Sequence, residues 1–295
     1  MEKFKNYFRK LNLSCLSRPM NYTVIFTSNN AFPIDDVIPI YRIRPIDDFN
    51  IVHLVSIRGN KYVLKKIDKD CIEWDIIRHL SSKRSQCPYL IPYYAGLRKG
   101  NKRYILMKLA DTDLYHYYQL EPLYRTHFID VIQTSLNFFN WTIRHLNLIT
   151  IDLKMKNLVL LNNPYPKPRH LELRAIDVEL MEKPDTMYYP DIPSLTSSST
   201  DNQMYPRSEC TYQQFALFSL GILLLEMMGV YESLIIGRKD DSELITILVD
   251  LAILDNEPQL LGFTRKLLTF KYQTVKGALR EFREFAFDNS QAQCA

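Results

Sequence analysis

Apolar and polar residues alternate over much of the first third of the chain, a period of two that is typical of β-strands. The alternation predicts five strands, at 37–43, 51–57, 61–67, 88–94 and 104–109. Arg58-Gly59-Asn60 has the composition of a hairpin turn between the second and third of them. Asp68 is suited to cap a helix that continues to about Leu80, where apolar residues recur at helical spacing. The first ~110 residues are therefore expected to form a sheet with one helix.

The pattern becomes helical after residue 111. Residues 128–146 carry apolar side chains at helical spacing, and a pair of strands is predicted around 158–176. Residues 183–213 form a polar stretch rich in Pro, Ser, Thr and Tyr, which fits either a solvated connector or a regulatory segment. The most apolar run, 215–225, is followed by a Glu and is too short for a bilayer span, which needs about 20 residues. It predicts a buried core helix.

Composition limits the classes of protein that remain. The chain has 295 residues, 46% of them hydrophobic, which is enough to build a core and argues against a largely disordered chain. A net charge of +4 with dispersed charges does not indicate a specific nucleic-acid partner. We expect an N-terminal extension at 1–35, two globular parts at 36–110 and 111–285, and a tail at 286–295.

The cysteines and the N-terminus predict an intracellular protein, cytoplasmic or nuclear. The five cysteines are an odd number, are scattered, and show no metal-ligand spacing, which is typical of free thiols in a reducing compartment. The first residues lack the continuous apolar run of a signal peptide. They interleave basic and aromatic residues, a pattern that fits either a helix packed on the protein or an amphipathic helix on a membrane surface.

The strongest chemical signal is the stretch from Thr150 to Asn157. It places Asp152, Lys154 and Asn157 just before an apolar strand, and a second carboxylate, Asp177, follows 20 residues after Asn157. Phosphoryl transfer needs a carboxylate for the hydroxyl proton, a cation for the phosphate, and oxygen ligands for Mg²⁺. These four side chains would supply the base, the cation and the metal ligands.

Together with the order of the elements, this stretch resembles the catalytic loop of a divergent eukaryotic-type protein kinase. The resemblance covers roughly 36–285 and implies an α+β, bilobal kinase-like fold: a small antiparallel-sheet lobe with one helix, then a larger, mainly helical lobe. It also implies ATP and Mg²⁺ as cofactors. Asp152 and Lys154 match the catalytic positions, and Asn157 and Asp177 match the metal-ligand positions.

The resemblance extends to four residues of the first part. Lys65 in Val63-Leu64-Lys65 matches the lysine that bridges the α- and β-phosphates, and Glu73 matches the helix glutamate that pairs with it. The link between the two is shorter than the family's usual spacing. Met107 matches the gatekeeper, and Leu109 lies within the hinge whose backbone faces the adenine.

Several family features are absent. Pro45-Ile46-Asp47-Asp48-Phe49-Asn50 replaces the glycine-rich loop, so side chains and two carboxylates stand where backbone N–H groups would approach phosphates. Thr150-Ile151 replaces the His-Arg before the base, which removes the cation that receives an activating phosphate. Ala216 replaces the Asp that holds the catalytic loop, and Arg207 replaces a Glu that pairs with a later Arg.

Three hypotheses follow. The first is a protein kinase with minimal, constitutive activity on Ser or Thr, because every residue matching a catalytic position is retained. The second is a pseudokinase that serves as a binding or scaffold module for a protein partner, because the glycine loop is missing. The third is a small-molecule kinase, which the Thr150 position and the long 183–213 segment disfavour.

Overall fold

A computed structural model describes most of the chain. The described residues are 19–27, 37–46, 51–68, 70–82, 87–120, 125–161, 170–190, 205–230, 241–247 and 258–292. The chain divides into two compact units, Met1–Gln86 with Pro92–Leu109, and Cys87–Ile91 with Ala110–Ala295.

The first unit is a closed antiparallel barrel of six strands with one helix. The elements are β1 (Met20–Thr27), β2 (Val37–Pro45), β3 (Val52–Ile57), β4 (Asn60–Ile67), α1 (Ile72–Ser82), β5 (Tyr93–Lys99) and β6 (Lys102–Lys108). The strands follow the spatial order β1-β2-β3-β4-β6-β5, and β5 pairs with β1 to close the ring. The predicted hairpin between β3 and β4 is confirmed, since Ile57 pairs with Asn60. Arg58 and Gly59 there have positive φ angles, as a tight hairpin turn requires.

The barrel core is apolar with one polar cluster. The core side chains come from all six strands: Tyr22, Ile40, Val55, Ile57, Leu64, Ala95, Leu97, Tyr104 and Leu106. The Tyr22 and Tyr104 rings meet edge to face with centroids 5.1 Å apart. Arg42 donates from Nη2 to the Tyr22 hydroxyl at 3.1 Å and lies over the Tyr104 ring. Burial is the main cause that raises the pKa of Tyr22, so its hydroxyl stays protonated.

The closed barrel overturns the expected fold class. We expected a bilobal kinase-like fold, whose first lobe is a small open antiparallel sheet, and that prediction was wrong. The reason is β1, within the predicted 1–35 extension, which pairs with both β2 and β5 and so leaves no open edge. The strand predicted at 88–94 also lies further along the chain, at Tyr93–Lys99. The chain does combine strands and helices, as expected.

The second unit is mainly helical with short strand pairs. Its elements are β7 (Thr112–Asp113), α2 (Leu114–Leu120), α3 (Arg125–Leu146), β8 (Ile149–Thr150), β9 (Leu158–Leu160), β10 (Leu173–Ala175), β11 (Met181–Glu182), β12 (Met187–Tyr188), β13 (Cys210–Thr211), α4 (Tyr212–Met227), α5 (Pro258–Leu268) and α6 (Val275–Ala292). Strand β9 pairs with β7 and β10, β8 with β11, and β12 with β13, all antiparallel.

Helix α4 is the buried core helix that the apolar run predicts. Nearly all of its side chains are buried, on every face. It begins with a reciprocal capping box in which Thr211 Oγ1 accepts from the Gln214 backbone N–H, while the Gln214 side chain accepts from the Thr211 N–H. A Cβ at Gly221 would lie 2.8 Å from Leu268 Cδ2, so glycine is needed for the close approach of α5. No helix in the described parts of the chain has the length and apolarity to cross a membrane.

Because β1 closes the barrel, its fully buried residue Tyr22 should contribute strongly to the stability of the first unit. Tyr22→Ala should lower the free energy of unfolding of the first unit by about 3–5 kcal/mol, as large aromatic deletions do in packed cores. Tyr22→Phe should cost only about 1 kcal/mol, because it removes one hydrogen bond and keeps the ring. Urea unfolding followed by Trp74 fluorescence, in a Trp141→Phe background that silences the second unit, measures both.

The matched control is Thr23→Ala, one residue along β1 on the exposed face. It should change stability by less than about 0.5 kcal/mol. Equal unfolding midpoints for Tyr22→Ala and Thr23→Ala would contradict the closed barrel.

Candidate functional site

The stretch from Thr150 to Asn157 is a loop held at both ends by strands. Thr150 ends β8, which pairs with β11, and the Ile151 N–H donates to the Leu180 carbonyl at 3.1 Å. A single 3₁₀ turn, Met155–Asn157, then leads into β9. The loop is therefore fixed by hydrogen bonds before and after its polar residues.

Three side chains that the sequence singles out are in contact in this loop. Lys154 Nζ lies 3.0 Å from Asp152 Oδ2. Asn157 Nδ2 donates to the same carboxylate oxygen at 3.0 Å and to the Asp152 carbonyl oxygen at 2.9 Å. Asp152 keeps about a fifth of its surface exposed, so the carboxylate is oriented by the protein and open to solvent. Charge-assisted hydrogen bonds of this kind fix orientation as well as adding energy.

Asp177 is brought next to this group through the backbone. Strand β10 pairs with β9, and the N–H of Ile176 donates to the Asn157 carbonyl at 2.9 Å. Asp177 follows directly, with a φ of +64° that few side chains other than Asn and Asp adopt readily. Its Oδ1 accepts from the Glu179 N–H at 3.4 Å. Asp is one of the few residues that can occupy this position at low cost.

Asn157 and Asp177 are the two predicted metal ligands, and the Ile176–Asn157 backbone contact makes them neighbours. The Asn157 amide nitrogen is used for its two bonds to Asp152, which leaves its amide oxygen as the remaining acceptor. Amide and carboxylate oxygens are the ligands that a hard cation such as Mg²⁺ prefers. The donor set therefore fits Mg²⁺.

Ser219 is a site residue that the sequence analysis missed. It is buried in α4, and its hydroxyl lies 3.4 Å from the Ile151 carbonyl and 3.1 Å from the Phe215 carbonyl. It tethers the loop residue just before Asp152 to the core helix. Its position on α4, one turn after Ala216, was the sequence signal that could have found it. Ala216 itself is fully buried and apolar.

A small cavity adjoins the tether and the Asp152 carboxylate. Its volume is about 40 Å³. Its walls combine polar groups of the loop and α4 with apolar ones: Ile151, Asp152, Leu153, Lys154, Tyr205, Ser219, Ile222 and Glu226. The space beside Asp152 is therefore small, partly acidic, and formed within the second unit.

Asp241 is a second residue that the sequence analysis missed, and it holds the chain at Arg207 and Ser208. The buried Asp241 carboxylate accepts from the Arg207 backbone N–H at 2.9 Å and from the Ser208 hydroxyl at 3.2 Å. A carboxylate that accepts from the backbone therefore fixes this segment. Asp241 lies more than 30 residues away along the chain, outside any local motif.

In the first unit, Lys65 and Glu73 form a tight ion pair. Lys65 Nζ lies 2.7 Å from Glu73 Oε2, with 13% of the lysine side chain and none of the glutamate exposed. The short link from β4 to α1 is therefore long enough for the pair. The roles that the resemblance gives to both residues stay predictions.

The two residues predicted to contact adenine lie at or just after the end of β6. Met107 is buried in β6, opposite Val63 and Tyr93. Leu109 follows the end of β6 and is partly buried. The role of both in adenine binding stays a prediction. The predicted phosphate-side residues Asp47 and Asp48 lie outside the described residues, as do the basic N-terminal segment and the Ser/Thr-rich part of 183–213.

No protein-family model matches the chain, and no curated protein matches it either. The chemistry of the site rests on its own residues and their geometry.

The Lys65–Glu73 pair generates a stability prediction. Lys65→Met should destabilise the first unit by about 3–5 kcal/mol, because it removes the cation from a fully buried carboxylate. Lys65→Met combined with Glu73→Leu should recover most of that loss, since no buried charge remains. Urea unfolding of the Trp141→Phe protein provides the readout, and a double variant as unstable as Lys65→Met would contradict the pairing.

The Ser219 tether predicts a change in loop dynamics. Ser219→Ala should speed amide hydrogen exchange at 151–154 and lower stability by roughly 0.5–1.5 kcal/mol, the net worth of one hydrogen bond. Ser135→Ala is the matched control, because Ser135 is also buried in a helix and its hydroxyl has no partner among the described residues. Equal exchange at 151–154 in both variants would show that Ser219 does not hold the loop.

Proposed function

We propose that the protein transfers the γ-phosphoryl group of Mg-ATP to a Ser or Thr hydroxyl of a protein substrate, with Asp152 as the base. The observation that supports this best is the contact of Lys154 and Asn157 with the Asp152 carboxylate. A carboxylate, a cation and an amide in one oriented cluster, with Asp177 adjacent, are the groups that phosphoryl transfer needs. The proposal concerns the loop chemistry and does not depend on the fold class.

Asp152 orients the substrate hydroxyl and accepts its proton. Its carboxylate is partly exposed and fixed by Asn157, so a hydroxyl can reach it at a set angle. Lys154 lies 3.0 Å from that carboxylate, a position from which its ammonium can neutralise a phosphoryl group arriving at the same hydroxyl. Asn157 and Asp177 would hold Mg²⁺, which neutralises phosphate charge when it is bound.

The size of the cavity favours a short hydroxyl side chain. About 40 Å³ beside Asp152 suits the hydroxymethyl group of Ser or the slightly larger group of Thr better than a tyrosine ring. Asp152 and Glu226 line the cavity together with Lys154, so its wall carries one net negative charge. A substrate with a neutral or basic residue next to its hydroxyl is therefore favoured over an acidic one.

The phosphate-binding role of Lys65, in the first unit, stays a prediction. The ion pair of Lys65 with the buried Glu73 fixes the ammonium in one position, which lowers the entropy cost of phosphate binding. Activity should be constitutive, because the residue before Asp152 is the buried, apolar Ile151 and offers no cation to an activating phosphate.

One observation favours a second function, a pseudokinase that binds a protein partner and turns over little or no nucleotide. Asp152 Oδ2 already accepts from both Lys154 and Asn157. Two such contacts occupy lone pairs of that oxygen, which leaves less of it open to a substrate hydroxyl. Under this alternative the cluster serves to stiffen the loop.

Replacement of the base tests the proposed function. Asp152→Asn should lower phosphate incorporation from labelled Mg-ATP into a generic Ser/Thr protein substrate by roughly 10²–10⁴-fold, the usual contribution of a positioned base. Asp75→Asn is the matched control, because Asp75 is an exposed helix carboxylate, and it should leave incorporation unchanged. Equal incorporation by the wild type and Asp152→Asn would overturn the proposal.

Calorimetry of nucleotide binding separates the two functions. Binding of ATP that needs Mg²⁺ and weakens in Asn157→Ala, together with turnover, supports the enzyme. Binding without any turnover above the Asp152→Asn level supports the pseudokinase. No binding at millimolar ATP would overturn the proposed kinase activity.

A further inference from the structure

The second unit contains a polar groove that the proposed function does not use. It lies along α5, α6 and the turn between them, and its volume is about 1040 Å³. Three exposed cations line it: Arg265 on α5, Lys271 in the turn and Arg280 on α6. None of these three has an ion-pair partner among the described residues.

The acidic residues of the groove do not cancel this charge. Lys266 Nζ lies 2.6 Å from Glu281 Oε1, so these two residues neutralise each other. Glu284, one helical turn after Arg280, is the other carboxylate of the lining. Three cations therefore face one unpaired carboxylate, and the groove is positive.

Two of the chain's eight glycines line this groove, and contacts within the described protein do not require either. A Cβ at Gly262, in the middle of α5, would meet nothing within 4 Å, and one at Gly277 would meet only Thr274 Oγ1 at an ordinary 3.5 Å. Gly221 differs, because there a side chain would collide with α5. Glycine within a helix costs about 1 kcal/mol relative to alanine. Glycines on both helices leave the groove floor open to another backbone.

Polar groups of the turn complete the lining. Gln273 and Thr274 are exposed and can donate to carbonyl or carboxylate oxygens. Burial, with a smaller contribution from Glu281, raises the pKa of Tyr272 well above its ordinary value, so its hydroxyl stays protonated. The groove thus offers donors and positive charge, and its one aromatic ring is buried.

We propose that this groove binds an acidic segment of a partner protein. The cations come from two helices and a turn along the groove, which matches carboxylates spaced along a chain better than one small anion. The open backbone at Gly262 and Gly277 lets a main chain lie close to the helices. The one aromatic ring of the lining is buried and offers no face for base stacking, which disfavours single-stranded nucleic acid.

The test uses the full chain and a fluorescent 12-residue peptide of alternating Glu and Gly, with a Gln/Gly peptide of equal length as its control. Fluorescence anisotropy at low salt should detect the Glu peptide alone, and added salt should weaken binding through screening. Arg280→Glu should weaken it by about tenfold or more, equivalent to 1.4 kcal/mol. Lys276→Glu makes the same charge change on α6 outside the groove and should have little effect.

Gly262→Ala tests whether peptide binding can weaken while the fold is kept. This variant should keep or raise the melting temperature, since alanine favours a helix, yet it should weaken peptide binding. Equal binding of the Glu and Gln peptides would overturn the proposal, as would equal effects of Arg280→Glu and Lys276→Glu. Tighter binding of a 12-nucleotide single strand that displaces the Glu peptide would overturn it in favour of nucleic acid.

Discussion

The second unit depends on the burial of α4 on every face. An apolar helix surrounded by protein has no solvent side, so each neighbour is positioned against it by close packing. Gly221 admits Leu268 of α5, and Ser219 reaches the carbonyl of Ile151 in the polar loop. Gln213, at the start of α4, accepts from the Val275 N–H of α6 and donates to Asp185. The loop that holds Asp152 is therefore fixed by the core helix.

Hydrogen bonds to the backbone hold two loop segments of the second unit. The Ser219 hydroxyl lies within hydrogen-bond distance of the Ile151 carbonyl, and Asp241 fixes the 207–208 segment through an N–H and a hydroxyl. A neutral hydroxyl avoids most of the desolvation penalty of a buried charge. Hydrogen bonds to the main chain also make little demand on neighbouring side chains. Such a site can keep its geometry while its flanking residues change.

Local patterns predicted much of what lies close together in sequence. The β3–β4 hairpin follows from Arg58 and Gly59, and the buried helix α4 follows from one apolar run. The contacts of Asp152 with Lys154 and Asn157 span only five residues and were predictable as a cluster. The segment of β1 is rich in β-branched and aromatic residues, but it was missed as a barrel strand because its closing partner β5 lies about 70 residues away. Ser219 and Asp241 were missed for the same reason, since each acts on a loop far away in sequence.

The difference between local and distant contacts also explains why the fold prediction failed while the cluster around Asp152 is present. Whether a small sheet stays open or closes into a barrel depends on one distant strand, Met20–Thr27, whose pairing satisfies both remaining edges. The chemistry at Asp152 depends on a loop of eight residues, its 3₁₀ turn and one helix beneath it. These two parts of the chain lie in separate units and are specified by different contacts. Because function depends on the local site more than on the architecture, closure of the barrel does not remove the groups on which phosphoryl transfer would depend.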